Sequence, residues 1–137
     1  MSTTRELMGI QHDGWPWVVV ADDDGQVRTL CDDILTAEGY HVVLVENGLL
    51  ALQALTTADR PCILLLDLMM PQVDGYAVYA ALEADPAFRN GHHIVIFSAY
   101  RRDWQDFPSA DAVLDKPFNV DDLVDTVARV AHQVVAH

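Results

Sequence analysis

Cys62-Ile63-Leu64-Leu65-Leu66-Asp67-Leu68-Met69-Met70-Pro71 is the stretch on which the fold turns. Cys62 to Leu66 is an unbroken apolar run, far too short to span a membrane and lacking the polar alternation of a half-solvated strand. It reads as a strand buried on both faces, the pattern of a parallel sheet sandwiched between helices. Pro61 opens the strand and Asp67 ends it. The same grammar recurs on either side. Val18-Val19-Val20-Ala21 runs into Asp22-Asp23-Asp24, His93 to Phe97 runs into Ser98, and Ala112 to Leu114 runs into Asp115-Lys116-Pro117. His41 to Val45, rich in β-branched residues, supplies a further strand.

Between the strands the period changes. After Val27, apolar residues fall at Leu30, Cys31, Ile34 and Leu35, the three-and-four spacing of a helix that Gly39 stops. Asn47 caps a helix expected to carry Leu50, Ala51, Ala54 and Leu55 inward. A loop containing Pro71 and Asp74-Gly75 leads into a helix from about Tyr76 to Ala84, stopped by Asp85-Pro86. Asn119 or Asp121 caps a last helix with Leu123, Val124, Val127, Val130 and Ala131 on one face. Residues 101–110 are irregular, with Pro108 and room for no more than a turn or two of helix. Strands alternating with helices predict an α/β fold, a doubly wound parallel sheet of five strands covered on both faces. One domain is expected over residues 15–137, preceded by a loose leader at 1–14 that lacks the apolar centre of a secretory signal.

The 137 residues are enough for one domain with a real core, and a hydrophobic fraction of 51% argues against disorder. The formal charge is −13, from 21 acids against 8 bases. Such a surface repels nucleic acid and acidic membranes, so neither is expected as a partner. Cys31 and Cys62 sit in apolar segments and read as reduced core residues of a cytoplasmic protein, not as a disulfide or metal pair. Lys116 is the sole lysine; the other bases are all arginine.

In doubly wound sheets the ligand site lies at the carboxyl ends of the strands. The residues standing there are Asp22 and Asp23, Asp67, Ser98 and Lys116. Strands commonly end in polar residues, and Ser98 alone reads better as a strand-end cap. Three carboxylates, a hydroxyl and the one lysine on a single rim form a much stronger pattern. Carboxylates so close together raise one another's pKa unless a cation compensates. A hard, oxygen-seeking divalent ion suits them, and Mg²⁺ takes one or two carboxylates together with phosphate oxygens. The histidines, at 12, 41, 92, 93, 132 and 137, lack the spacing of a transition-metal site, and His92-His93 reads as structural. With Mg²⁺ in place, a buried carboxylate acts as a nucleophile toward a phosphoryl group. Lys116 then offers a compact positive charge and Ser98 a hydroxyl donor. The bond from Lys116 to Pro117 is a candidate for the cis form.

Four segments carry a resemblance to a known family. They are Val18 to Asp24, Leu65 to Gly75, Phe97-Ser98-Ala99 and Asp115-Lys116-Pro117-Phe118. In this order and spacing the chain resembles the receiver domains of two-component response regulators, including the stand-alone chemotaxis type, from about Trp17 to Val135. The resemblance implies the flavodoxin-like strand order 2-1-3-4-5. It implies that Asp67 accepts a phosphoryl group from a sensor histidine kinase or exchanges one with a histidine phosphotransfer protein. Mg²⁺ would be held by Asp67, by Asp23 directly, by Asp22 mainly through water, and by the backbone carbonyl of Met69. Ser98 and Lys116 would contact the phosphoryl group. The family signals through protein contacts or phosphorelay and catalyses only its own phosphorylation and dephosphorylation.

Three departures from the family pattern bear on output. Val113 stands three positions before Lys116, where most receivers carry an aromatic that changes rotamer. Only 17 residues, positions 99 to 115, separate Ser98 from Lys116, so the helix between the fourth and fifth strands is expected to be shortened, displaced or partly unwound. Trp104 and Phe107 are expected to fill that gap as core, with an exposed partner patch as the alternative. No output domain is expected after the last helix. Met69 and Tyr100 offer no group to orient an attacking water, which implies slow self-dephosphorylation. Other classes fit less well. An aspartyl phosphohydrolase usually carries a second Asp where Met69 stands, and no phosphate loop for a flavin follows the first strand. An unphosphorylated interaction module remains the alternative reading.

Overall fold

The structure, a computed structural model, describes residues 15–85, 91–98 and 106–135. Five strands form one parallel sheet: β1 (Trp17–Ala21), β2 (Val42–Val45), β3 (Cys62–Asp67), β4 (His93–Ser98) and β5 (Ala112–Asp115). Their order is β2-β1-β3-β4-β5, as the family resemblance implies. Four helices are described: α1 (Gly25–Ala37), α2 (Gly48–Thr57), α3 (Gly75–Ala84) and α4 (Val120–Val135). The leader at residues 1–14, together with Ala99, Tyr100 and Trp104, lies outside the described residues.

Alternation along the central strands sorts the core into two layers. Val18 and Val20 of β1, Ile63 and Leu65 of β3, and Val95 and Phe97 of β4 face α1 and α4, where Cys31, Leu35, Leu123, Val127 and Val130 meet them. Val19, Ala21, Leu64, Leu66, Ile94 and Ile96 face the other way, onto Ala51, Leu55, Val78 and Leu82 of α2 and α3. Every residue of β3 is buried, which is why its sequence shows no polar alternation. Cys31 and Cys62 are free and buried, and burial pushes their thiols up to about 12 and about 11, so both stay protonated and inert.

All four helices begin on an Asp or Asn whose side chain accepts from an early backbone N–H. Asp24 accepts from Gln26, Asn47 from Leu50, Asp74 from Ala77, and Asn119, the capping residue of the two candidates, from Asp122. Each such cap contributes about 1 kcal/mol. Gly39 ends α1 with φ of 96°, a conformation that costs a glycine little.

One expectation fails within α2: Leu50 points outward and is 37% exposed, and the neighbouring Leu49 is exposed too. The helix buries the Ala51 and Leu55 stripe, four residues apart, and Leu50 lies about 100° round the axis from Ala51. In α1 Leu30 is likewise exposed, one position before the buried Cys31. Phe107 is buried, as expected, edge-on to the Tyr79 ring at 5.1 Å. The histidine pair is structural in the sense predicted. His92 Nδ1 accepts from the Cys62 N–H, and His93 Nδ1 lies 3.2 Å from an Asp111 oxygen.

Candidate functional site

At the carboxyl end of the sheet β1 stops where its neighbours diverge, and Asp22 is the first residue beyond it. Asp22 is fully buried, and its N–H still donates to the Val45 carbonyl at 3.2 Å, continuing the ladder to β2. Its Oδ1 accepts from the Asp24 N–H at 2.9 Å, which turns the chain into α1. Its Oδ2 accepts from Lys116 Nζ. Asp67, the last residue of β3, presents its carboxylate alongside: Oδ1 lies 3.7 Å from Lys116 Nζ and accepts weakly from the Met69 N–H at 3.4 Å. Asp23 is exposed, yet one carboxylate oxygen from each of Asp22, Asp23 and Asp67 lies within 4.8 Å of the other two.

Ser98 ends β4, one register step beyond the Asp67–Phe97 pair, and is buried. Its carbonyl accepts the Lys116 N–H at 2.8 Å, so the ends of β4 and β5 are tied where the lysine leaves the sheet. The bond from Lys116 to Pro117 is cis. The ammonium also lies 4.6 Å from the centre of the Phe97 ring, against whose side Phe118 packs at 5.3 Å.

Burial is the main reason the Asp67 carboxyl is pushed up, to about 6 from 3.8, and Asp22 adds to it. Lys116 and the Met69 amide pull the other way without cancelling it. The pocket is therefore a crowded set of carboxylates with too little positive charge. Its donors are all oxygen, with no sulfur or imidazole among them, which fits a hard divalent cation such as Mg²⁺.

The structure thus brings together Asp22, Asp23, Asp67 and Lys116, and sets Ser98 on the adjoining strand end. Met69 follows Asp67 by two residues, with its side chain 56% exposed. Three further residues support the site, of which Arg28 and Gly48 escaped the sequence reading and Gly75 was read only as part of a turn. Arg28 Nη1 donates to the Asp22 carbonyl at 2.6 Å. A Cβ on Gly75 would meet the Asp67 carbonyl oxygen at 2.1 Å, and one on Gly48 the Val73 carbonyl oxygen at 1.8 Å. The loop after Asp67 is thereby clamped between the starts of α3 and α2, with the Gly75 N–H donating to the Leu68 carbonyl at 3.1 Å. For Gly75 the pairing with Asp74 after a proline loop marked a turn; for Arg28 and Gly48 no local pattern gave a signal.

Comparison with known proteins gives a consistent result. The response regulator receiver domain family model matches residues 18–128. Sporulation initiation phosphotransferase F of Bacillus subtilis is 30% identical over 117 residues, covering 82% of this chain and 90% of that protein. Response regulator receiver protein CpdR of Brucella abortus is 31% identical over 115 residues, covering 82% and 94%. Among solved structures, the response regulator TrrA of Thermotoga maritima in complex with Mg(2+)-BeF superposes with a TM-score of 0.73 at 27% identity, over 84% of this chain and 98% of that one.

Proposed function

Because the chain belongs to the response regulator receiver family, we propose that Asp67 is its phosphoryl acceptor and that Asp22, Asp23, Ser98 and Lys116 complete the site around it. A carboxylate oxygen of Asp67 attacks the phosphorus of a phosphohistidine. The phosphorus–nitrogen bond breaks, the electron pair leaves with the imidazole, and an acyl phosphate remains on Asp67. With the carboxyl at about 6, Asp67 is mostly ionised at neutral pH and still a stronger base than an ordinary aspartate.

Asp67, Asp23, the Met69 carbonyl and, mainly through water, Asp22 would hold Mg²⁺, which would supply the positive charge that offsets the negative charge of the transferring group. Lys116, now shared between Asp22 and Asp67, moves its ammonium to a phosphoryl oxygen, and the Ser98 hydroxyl donates to another. Donor and recipient are a sensor histidine kinase or a histidine phosphotransfer protein in the cytoplasm, and the protein catalyses no reaction beyond its own phosphorylation and dephosphorylation.

The single observation that carries this reading is the meeting of three carboxylates within 4.8 Å under the chain's one lysine. Intact-mass spectrometry after incubation with acetyl phosphate and Mg²⁺ tests it. The wild type is expected to gain one phosphoryl group and Asp67→Asn none; a gain that persists in the variant removes Asp67 as the acceptor.

A further inference from the structure

Among the described residues the Asp23 carboxylate has no hydrogen bond of its own, so its place in the cluster is set by the backbone that carries it. That backbone is fixed from an unexpected direction. The carbonyl of Asp22 and the N–H of Asp23 belong to one rigid peptide plane, so whatever holds the carbonyl sets the path of the chain into Asp23. Arg28 holds it. Its Nη1 donates to that oxygen at 2.6 Å, a short charge-assisted bond reaching back six residues.

The guanidinium is half-buried and folds over the first turn of α1. There Gly25 offers no side chain, and a Cβ would stand 3.4 Å from Nη2. The Arg28 N–H donates in turn to the Asp24 carbonyl at 3.0 Å. Asp22 is thus held at its N–H by Val45, at its carboxylate by Asp24 and Lys116, and at its carbonyl by Arg28.

We propose that Arg28 is a positioning residue of the metal pocket: by gripping the Asp22 carbonyl it aims the Asp23 carboxylate at the cation. The inference rests on the proposed Mg²⁺-dependent phosphoacceptor reading. Two roles for Arg28 differ in sign. A cation that were merely a neighbour of the site would repel Mg²⁺, and deleting it would tighten binding. A positioning residue, once deleted, loosens it.

Isothermal calorimetry of Mg²⁺ binding to the full chain decides between them. Arg28→Met is expected to weaken Mg²⁺ about tenfold, the scale seen when a group orienting a metal ligand is lost. Arg28→Lys, which keeps a charged donor, recovers most of that loss. Affinity unchanged or tightened in Arg28→Met overturns the proposal, as do equal losses in the Met and Lys variants, which would point to packing. Should Arg28→Met not fold, Arg28→Leu, which likewise has no donor, is measured in its place, with the same outcomes. A wild type that fails to bind Mg²⁺ removes the functional reading itself; a wild type that binds, with Arg28→Met undiminished, removes only the role of Arg28.

Discussion

Asp67 is held in a setting that disfavours its own charge, and this has a consequence for stability. Its carboxyl titrates near 6 in the folded chain and near 3.8 when unfolded, chiefly because it is buried and secondarily because Asp22 lies beside it. Between those values the folded protein binds more protons than the unfolded one, so stability falls as pH rises through that window. Above about pH 6 the penalty is fully present, on the order of 3 kcal/mol. Without Mg²⁺, Asp67→Asn is therefore expected to be more resistant to urea than the wild type at pH 7.5, with the two converging toward pH 4. Paired urea titrations in chelator at both pH values check this, and a pH-independent difference would contradict it. Asp22 and Asp67 were legible in the sequence because a fully buried strand must shed its first polar residue at the sheet's rim, and Asp23 and Lys116 each stand one place after such an end. Arg28 was not, since a flexible side chain reaching back six residues leaves no periodic trace. Gly48 was hidden for a related reason: only the folded approach of Val73 shows why a methyl has no room there.

Helix α3 is fastened at both ends. Its first residue, Gly75, packs on the backbone of the loop after Asp67. Farther along, Tyr79 accepts the Ser109 N–H at 2.7 Å and donates to Glu83 at 3.0 Å, while the Ser109 hydroxyl donates to the same Glu83 oxygen at 2.9 Å. Phe107 fills the space beneath, 3% exposed, against Tyr79 and Tyr76. The turn that leads into β5 is thus anchored to α3 by side chains. Phe107→Ala is expected to lower the unfolding free energy by about 3–5 kcal/mol, the usual range for deleting a buried ring. Denaturant unfolding measures it, and a loss below about 1 kcal/mol would mean that the ring is not a core element. The central strands could be read from their unbroken apolar runs, α1 from its three-and-four spacing, and α2 and α4 from their asparagine caps. Leu50 misled because the apolar stripe of a ten-residue helix tolerates a one-position error in its phase. The contacts of Phe107 and Ser109 with α3 join partners 26 to 31 positions apart, a distance over which no local pattern reports.

For the molecule as a whole, charge and surface point the same way. A formal charge of −13 on 137 residues sets copies of the chain against one another. Val113, where most receivers carry an aromatic, is half-buried and packs against the α2 and α3 layer, and Phe107 is turned into the same layer. The segment between β4 and β5 is short, and the dimer that receivers commonly form through the helix there is not expected. Light scattering after size exclusion, with Mg²⁺ with and without beryllofluoride, should show a monomer throughout; a clean shift to dimer on adding beryllofluoride would sink this. No helix among the described residues is long and apolar enough to cross a membrane. The grip of Asp22 on Lys116 has a practical corollary. Lys116 carries the only side-chain amine in the protein, and that amine is engaged by Asp22 with Asp67 at 3.7 Å. An amine-directed acylating reagent thus finds a single side-chain amine, and reacts there only in the moments when that amine has let go of its carboxylates. The rate of that labelling is a clock on the pocket, ticking faster or slower as other charges compete for the lysine, with no dye or tag to install.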